Sequence, residues 1–430
     1  MFISGSPSKR GSNGSDGSQS SLSCLKPLEK SPVVNSEQPC PKGSSTRRVS
    51  RLARRIHGWS WQAFPIGMGT GAVYVTLSGL KEHPGALTTV EAFFFFLNLS
   101  IFLINSTTLL LQAILYPRQS RRLICDPVKG VYVPFIVLSF STIVIGSINY
   151  GVIPGHLSPE VIYVFFWIYV FLSVSVCFPM LMIWYNKPHD GGTFTPAWVL
   201  LIFPMMFVGV IAANVLRVLD PSDSRAVGVL FVGYFFQSVG FFMTTFYICI
   251  YILRYTSHFT GLMEDHQANG VFDACGPPGF TALTLLLLGS YSREILSQHD
   301  LVTPLAGEIW YSSSVLVGLL LFGLSIFFFV FGILPYLSTV RMDLSEILGC
   351  WALTFPNVGW ISCLRVLGDD LGIHFFFVLH AIMVVVVCVL WVVLVVLTAL
   401  AFWRGKILLA TEADVLRDED RVPLAKNGSV

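Results

Sequence analysis

The sequence predicts an all-α integral membrane protein, with ten transmembrane helices arranged as five helical hairpin repeats around a central cavity. Three observations predict it. Of the 430 residues, 54% are hydrophobic and only 12% charged, about half the charge of a soluble chain, and the mean hydropathy is +0.69. The charges are segregated, so that between Val131 and Leu216 only Glu160, Lys187 and Asp190 are charged, each lying between apolar runs. So much apolar surface calls for lipid as the solvent. The third observation is a period of prolines, described below.

Residues 1–45 are rich in Ser, Gly, Pro and Lys and too poor in apolar residues to fold. Residues 1–57 are therefore expected to be a disordered cytosolic tail, and the start lacks the basic-then-apolar pattern of a signal peptide. Ten apolar stretches follow, at approximately 61–80, 90–116, 131–153, 161–185, 196–216, 228–253, 274–291, 308–335, 345–364 and 373–403. Each has the roughly 20 residues that cross a bilayer as a helix, and helices are required because lipid offers backbone N–H and C=O groups no partner. They make one transmembrane domain over residues 58–403, and residues 404–430 are expected as a second cytosolic tail. The nine cysteines are scattered, with no CxxC pair or Cys/His cluster, so neither a disulfide framework nor a zinc site is expected.

Lys and Arg set the orientation. With the amino terminus inside, the inner loops and flanks carry fourteen cations, Arg118, Arg121, Arg122 and Arg254 among them, and the outer loops carry Lys81, Arg217, Arg225, Arg293 and Arg365. That bias puts both termini in the cytosol.

Prolines recur inside the odd-numbered stretches, at Pro65, Pro134, Pro204, Pro277 with Pro278, and Pro356, with spacings of 69, 70, 74 and 78 when counted to Pro278. A two-helix unit repeated five times explains that period. An interior proline bends a helix and frees a carbonyl, which lipid does not tolerate but protein or a water-filled cavity does. Five kinked odd helices are therefore expected as an inner ring, with the smooth even helices facing lipid. The same stretches hold Gly69, Thr70, Thr281 and Thr354, which serve either close helix packing or the lining of a path.

At these residues the chain resembles the tellurite-resistance/dicarboxylate transporter family, related to the plant slow-type anion channels, and looks most like its fungal malic-acid transport proteins. The matching stretches are "FPIGMGTG" (64–71), "TPAWVLLIFP" (195–204), "GPPGFTAL" (276–283) and "FPNVGW" (355–360), and the resemblance covers roughly 58–403. It implies five helical hairpins with the odd helices around a central pore, assembly as a homotrimer, a plasma-membrane location, and a phenylalanine of the ninth helix, here Phe355, as pore gate. Where a lysine is expected late in the seventh helix of malate transporters, this chain has "ALTLLLLGSYSRE", with Arg293 the first cation.

The residues themselves leave two readings of each candidate. Phe355 is either that gate or a packing aromatic. Asn357 either caps a carbonyl freed by Pro356 or contacts substrate. Arg217 and Arg365 either draw anions to the outer mouth or snorkel at the interface. No full charge is expected in the middle of the odd helices, where it would be costly and would hold an ion too tightly for turnover. Backbone dipoles are then the resource for an anion. Glu91 and Glu308 read as solvated helix starts. No Walker A loop, metal set or nucleophile constellation is present, so no enzyme, cofactor or nucleic-acid partner is expected. The expected cargo is a small organic anion, malate-like, with an inorganic anion such as sulfite as the alternative.

Overall fold

A computed structural model of the chain describes residues 49–126, 128–186, 189, 195–256, 267–338 and 344–419. The expectation of disorder at residues 1–45 lies outside them. Among the described residues all regular structure is helical. In chain order the α-helices are α1 (Arg51–Gly58), α2 (Phe64–Leu77), α3 (Gly85–Leu115), α4 (Pro117–Cys125), α5 (Phe135–Ser147), α6 (Pro159–Tyr185) and α7 (Phe203–Leu216). They continue as α8 (Ser224–Thr256), α9 (Gln267–Gln298), α10 (Ala306–Ser338), α11 (Val358–Leu371), α12 (His374–Trp403) and α13 (Glu412–Glu419).

Seven segments are long and apolar enough to cross a membrane: α3, α6, α8, α9, α10, α12, and α5 with its flanking turns from Gly130 to Val152. The other three expected spans contain only 14-residue α-helices, α2, α7 and α11, each preceded by 3-10 turns. The prolines explain the shortening and correct an expectation. Pro65 and Pro204 occupy the second position of α2 and α7, Pro134 caps α5, and Pro356 sits in the 3-10 turn before α11. In a first turn the N–H has no intrahelical partner, so its loss costs nothing. These prolines start α-helices rather than kink them; of the recurring prolines, Pro277 and Pro278 alone lie inside one, α9.

Helix α2 meets α5, α5 meets α7, α7 meets α9, α9 meets α11 and α11 meets α2, which closes a ring. The remaining long helices lie outside it. In the most apolar windows, 78% of the α5 segment and 83% of α9 is buried, against 17% to 33% for α3, α6, α8, α10 and α12. The outer helices still serve the ring with polar side chains. Along α3, Glu91, Asn98, Asn105 and Gln112 fall every seven residues and are all buried. Asn98 donates to Thr142 Oγ1 of α5 at 2.8 Å, Asn105 to the Ala63 carbonyl at 3.1 Å, and Gln112 to the Ile56, His57 and Trp59 carbonyls. Glu91 is not the solvated helix start expected of it. It is 1% exposed, 2.8 Å from His83 Nε2, and accepts from the Tyr150 hydroxyl at 3.2 Å.

The closest crossing in the ring is that of α9 and α11. A methyl group at Gly359 would lie 2.7 Å from the Gly279 carbonyl carbon, and one at Gly279 2.9 Å from the Trp360 nitrogen. Backbone meets backbone there because neither residue has a side chain.

Order extends beyond the expected tail boundaries at 57 and 404. Helix α1 is held by α13 and its lead-in: Arg54 donates to the Ala410 carbonyl at 2.9 Å, and His57 bonds the Asp418 carboxylate at 2.9 Å. Arg122 of α4 pairs with the same carboxylate. Burial raises the Asp418 pKa, but the His57 hydrogen bond and the Arg122 charge outweigh it, so the net shift is downward.

Two outcomes are expected. Gly359→Ala forces backbone apart at a cost of about 1–3 kcal/mol by overpacking, so its melting temperature in detergent should fall. Gly323→Ala, where an added methyl meets nothing within 4 Å, should not lower it. Separately, a carboxyl whose folded pKa is depressed stabilises above its unfolded pKa of about 3.9, and that contribution is lost as pH falls through the lower folded value. Amide exchange in α1 and α13 should therefore stay slow at about pH 5 and rise only well below about pH 3.9. Asp418→Asn should make it fast at both.

Candidate functional site

Two cavities lie on the axis of the ring, and each takes side chains from all five ring segments. The first, about 60 Å³, is lined by Pro65 and Met68 of α2, Phe135 of α5, Phe203 of α7, Asp273 of α9, and Phe355 with Pro356 before α11. The second, about 180 Å³, is lined by Val75, Thr142, Asn214, Phe280 and Ser362 from the same five segments, with Arg217 and Arg365. In every segment the first-cavity residue precedes the second-cavity residue in sequence. The five ring helices therefore run in one direction, amino ends toward the first cavity.

Phe355 lines both cavities and is 6% exposed. Its ring lies 5.4 Å from those of Phe207 and Phe280, which are 4.5 Å from each other. Three phenylalanines from three ring segments thus form an aromatic layer between the cavities. The Phe355 backbone is set by the 3-10 turn Phe355–Asn357. Asn357 is 1% exposed and donates to the Leu353 carbonyl at 2.9 Å, while its Oδ1 accepts from Trp360 Nε1 at 2.9 Å. Of its two readings, carbonyl capping is the one this geometry has.

Of the sequence candidates, Pro65, Phe355 and Pro356 reach the first cavity, and Arg217 and Arg365 the second. Gly69, Thr70, Pro134, Pro204, Pro277, Pro278, Thr281, Thr354 and Asn357 are absent from both linings and build the wall instead. A methyl at Gly69 would clash with the Trp351 ring. Thr70, Thr281 and Thr354 donate to the carbonyls of Ile66, Pro277 and Trp351 at 2.7–2.8 Å, the usual use of a helical hydroxyl. The Pro204 carbonyl accepts from Tyr169 and Ser173.

The electrostatics differ at the two ends. Helices α2, α5 and α7 begin at Phe64, Phe135 and Phe203, at or next to the first cavity, so three positive dipole ends converge there, whereas α11 begins at Val358, which lines the second. The carboxyl ends of α2, α5 and α7 flank the second cavity. Arg217 is the cap of α7 and donates to Asn149 Oδ1; Arg365 pairs with Asp369 at 2.6 Å and lies 5.1 Å over the Phe377 ring.

Sequence reasoning missed Asp273, the one charged side chain among the described residues lining the first cavity. It stands one residue before the expected seventh span, in a helix that starts at Gln267. Its place four residues before Pro277 is a usable signal, since that proline leaves the Asp273 carbonyl without its helical donor. Phe207 and Phe280 carry no local signal, being two among 35 phenylalanines.

A family profile described as SLAC1, voltage-dependent anion channel, matches residues 58–399. Among characterised relatives, a malic acid transport protein of Schizosaccharomyces pombe is 26% identical over 82% of this chain and 80% of its own length. A sulfite efflux pump of Arthroderma otae is 24% identical over 83% of this chain and 97% of its own. A match over so much of the helical region assigns the fold and the general activity together: this chain belongs to the SLAC1 family of anion channels and transporters.

Proposed function

We propose that the chain conducts small organic anions, malate and other C4-dicarboxylates first, along the ring axis and past a gate formed by Phe355. The observation that carries this reading is the pair of axial cavities separated by the Phe207–Phe280–Phe355 layer. A dry aromatic constriction denies a hydrated anion its water and opens by a rotamer change. Ten spans in five hairpins, with the three 14-residue helices completed by their 3-10 turns, fit the proline period. The cation bias supports cytosolic termini, and the family resemblance supports the plasma membrane and a trimer.

The printed activity of the Schizosaccharomyces pombe relative supports malate. A second reading, sulfite or another inorganic anion, is favoured by one observation: the first cavity is small, about 60 Å³, and among its described lining residues holds no cation to grip a second carboxylate.

Two measurements test these readings. Protein reconstituted in liposomes should take up labelled malate, with succinate competing better than sulfite or nitrate; the reverse ranking favours the inorganic anion, and no uptake of any of them removes the conduit. Phe355→Ala should raise flux per folded molecule by joining the two cavities. If Phe355 only packs, the truncation leaves a cavity costing about 3–5 kcal/mol by analogy with soluble cores, and folded yield and flux per molecule fall instead.

A further inference from the structure

The carboxylate of Asp273 is unexplained by a path for anions. It lines the cavity that Phe355 closes, and no Lys, Arg or His among the described residues lines that cavity with it. Its titratable neighbour there is the Tyr132 hydroxyl, itself in contact with the Gln62 amide; the remaining lining comes from apolar side chains and backbone. The amino ends that converge on this space favour one negative charge. An ionised Asp273 supplies that charge permanently, and a second negative charge brought beside it in a water-poor space is repelled.

Resting on the anion-conduit reading, we propose that Asp273 is the proton-accepting residue that controls occupancy of the first cavity: an anion enters only when this carboxyl is protonated. Water entering the cavity delivers the proton to a carboxylate oxygen. The neutral acid then leaves the positive helix ends free to hold the anion, and loss of the proton to water expels it. Proton and anion therefore occupy the cavity together, although no basic side chain lines it. Asp273 lies one helical turn before Pro277, in the helix that packs on the turn carrying Phe355.

The test uses the full chain in liposomes with two probes. One is chloride, which does not titrate; the other is malate, with the monoanion concentration held constant as pH is varied from about 5 to about 8. Wild-type flux of both should fall with rising pH by up to about tenfold per pH unit, the limit for one proton. Asp273→Asn, nearly isosteric, should give flux that stays high and flat across the range. Asp273→Glu should restore the pH dependence with a displaced midpoint. A pH-independent wild type, the same slope in Asp273→Asn, or a folded Asp273→Asn without flux overturns the assignment while the conduit stands. Wild-type protein that passes neither anion at any pH removes the conduit, and this proposal with it.

Discussion

The crossing of α9 and α11 at Gly279 and Gly359 is the contact on which the axis depends. Lipid tails do not drive helices together, so close packing must come from shape, and here two backbones touch without an intervening side chain. The residues next to the two glycines then have fixed places. Phe280 turns into the aromatic layer, 5.4 Å from Phe355. Trp360 packs 4.7 Å from Phe329 of α10 and donates to Asn357. Asn357 in turn ties down the turn on which Phe355 sits. One steric fact, the lack of two Cβ atoms, thus reaches the ring that separates the cavities in three steps.

Four of the five ring helices, all but α9, are short and started by proline, and the outer helices compensate. Four polar side chains at seven-residue spacing on α3 turn a lipid-facing helix into a source of hydrogen bonds for the wall. Gln237 of α8 does the same for Thr281 at 2.8 Å. In hydrocarbon each unserved polar group costs several kcal/mol, so breaks in the inner helices and amides on the outer ones belong to one arrangement.

This explains what could be read in the sequence. The alternation of proline-bearing and smooth stretches predicts an inner and an outer set of helices, because proline is tolerated only where protein or water serves the freed backbone. The lengths were not legible: the apolar run at 196–216 has the composition of a full span, and only the structure separates the 3-10 turn Pro196–Leu201 from α7. Phe355 was found through a resemblance in "FPNVGW", whereas Phe207 and Phe280 join it only through the ring geometry. Thr70, Thr281 and Asn357 look like pore residues in sequence, yet they donate to the Ile66, Pro277 and Leu353 carbonyls and accept from Trp391, Gln237 and Trp360, all within the wall. The spacing of Glu91, Asn98, Asn105 and Gln112 was in plain view, and a seven-residue polar period within an apolar run marks a buried face. The ordering of α1 and α13 was hidden because it depends on a contact between residues 361 positions apart, His57 and Asp418.

The parallel direction of the ring helices gives the axis a sense. Three amino ends favour an anion at the first cavity, and the matching carboxyl ends would repel it at the second. Arg217 caps α7 there and relieves its dipole, and Arg365, midway along α11, faces the same cavity; together they restore a place for the anion. Neither is a full, unshared charge, since one bonds an amide and the other an aspartate. That sharing weakens the hold on a passing ion, and an ion held weakly at several places is what conduction requires. The two ends thus reach the same condition by different means, backbone dipoles at one and tempered guanidinium groups at the other, with the phenylalanine layer where the two fields meet.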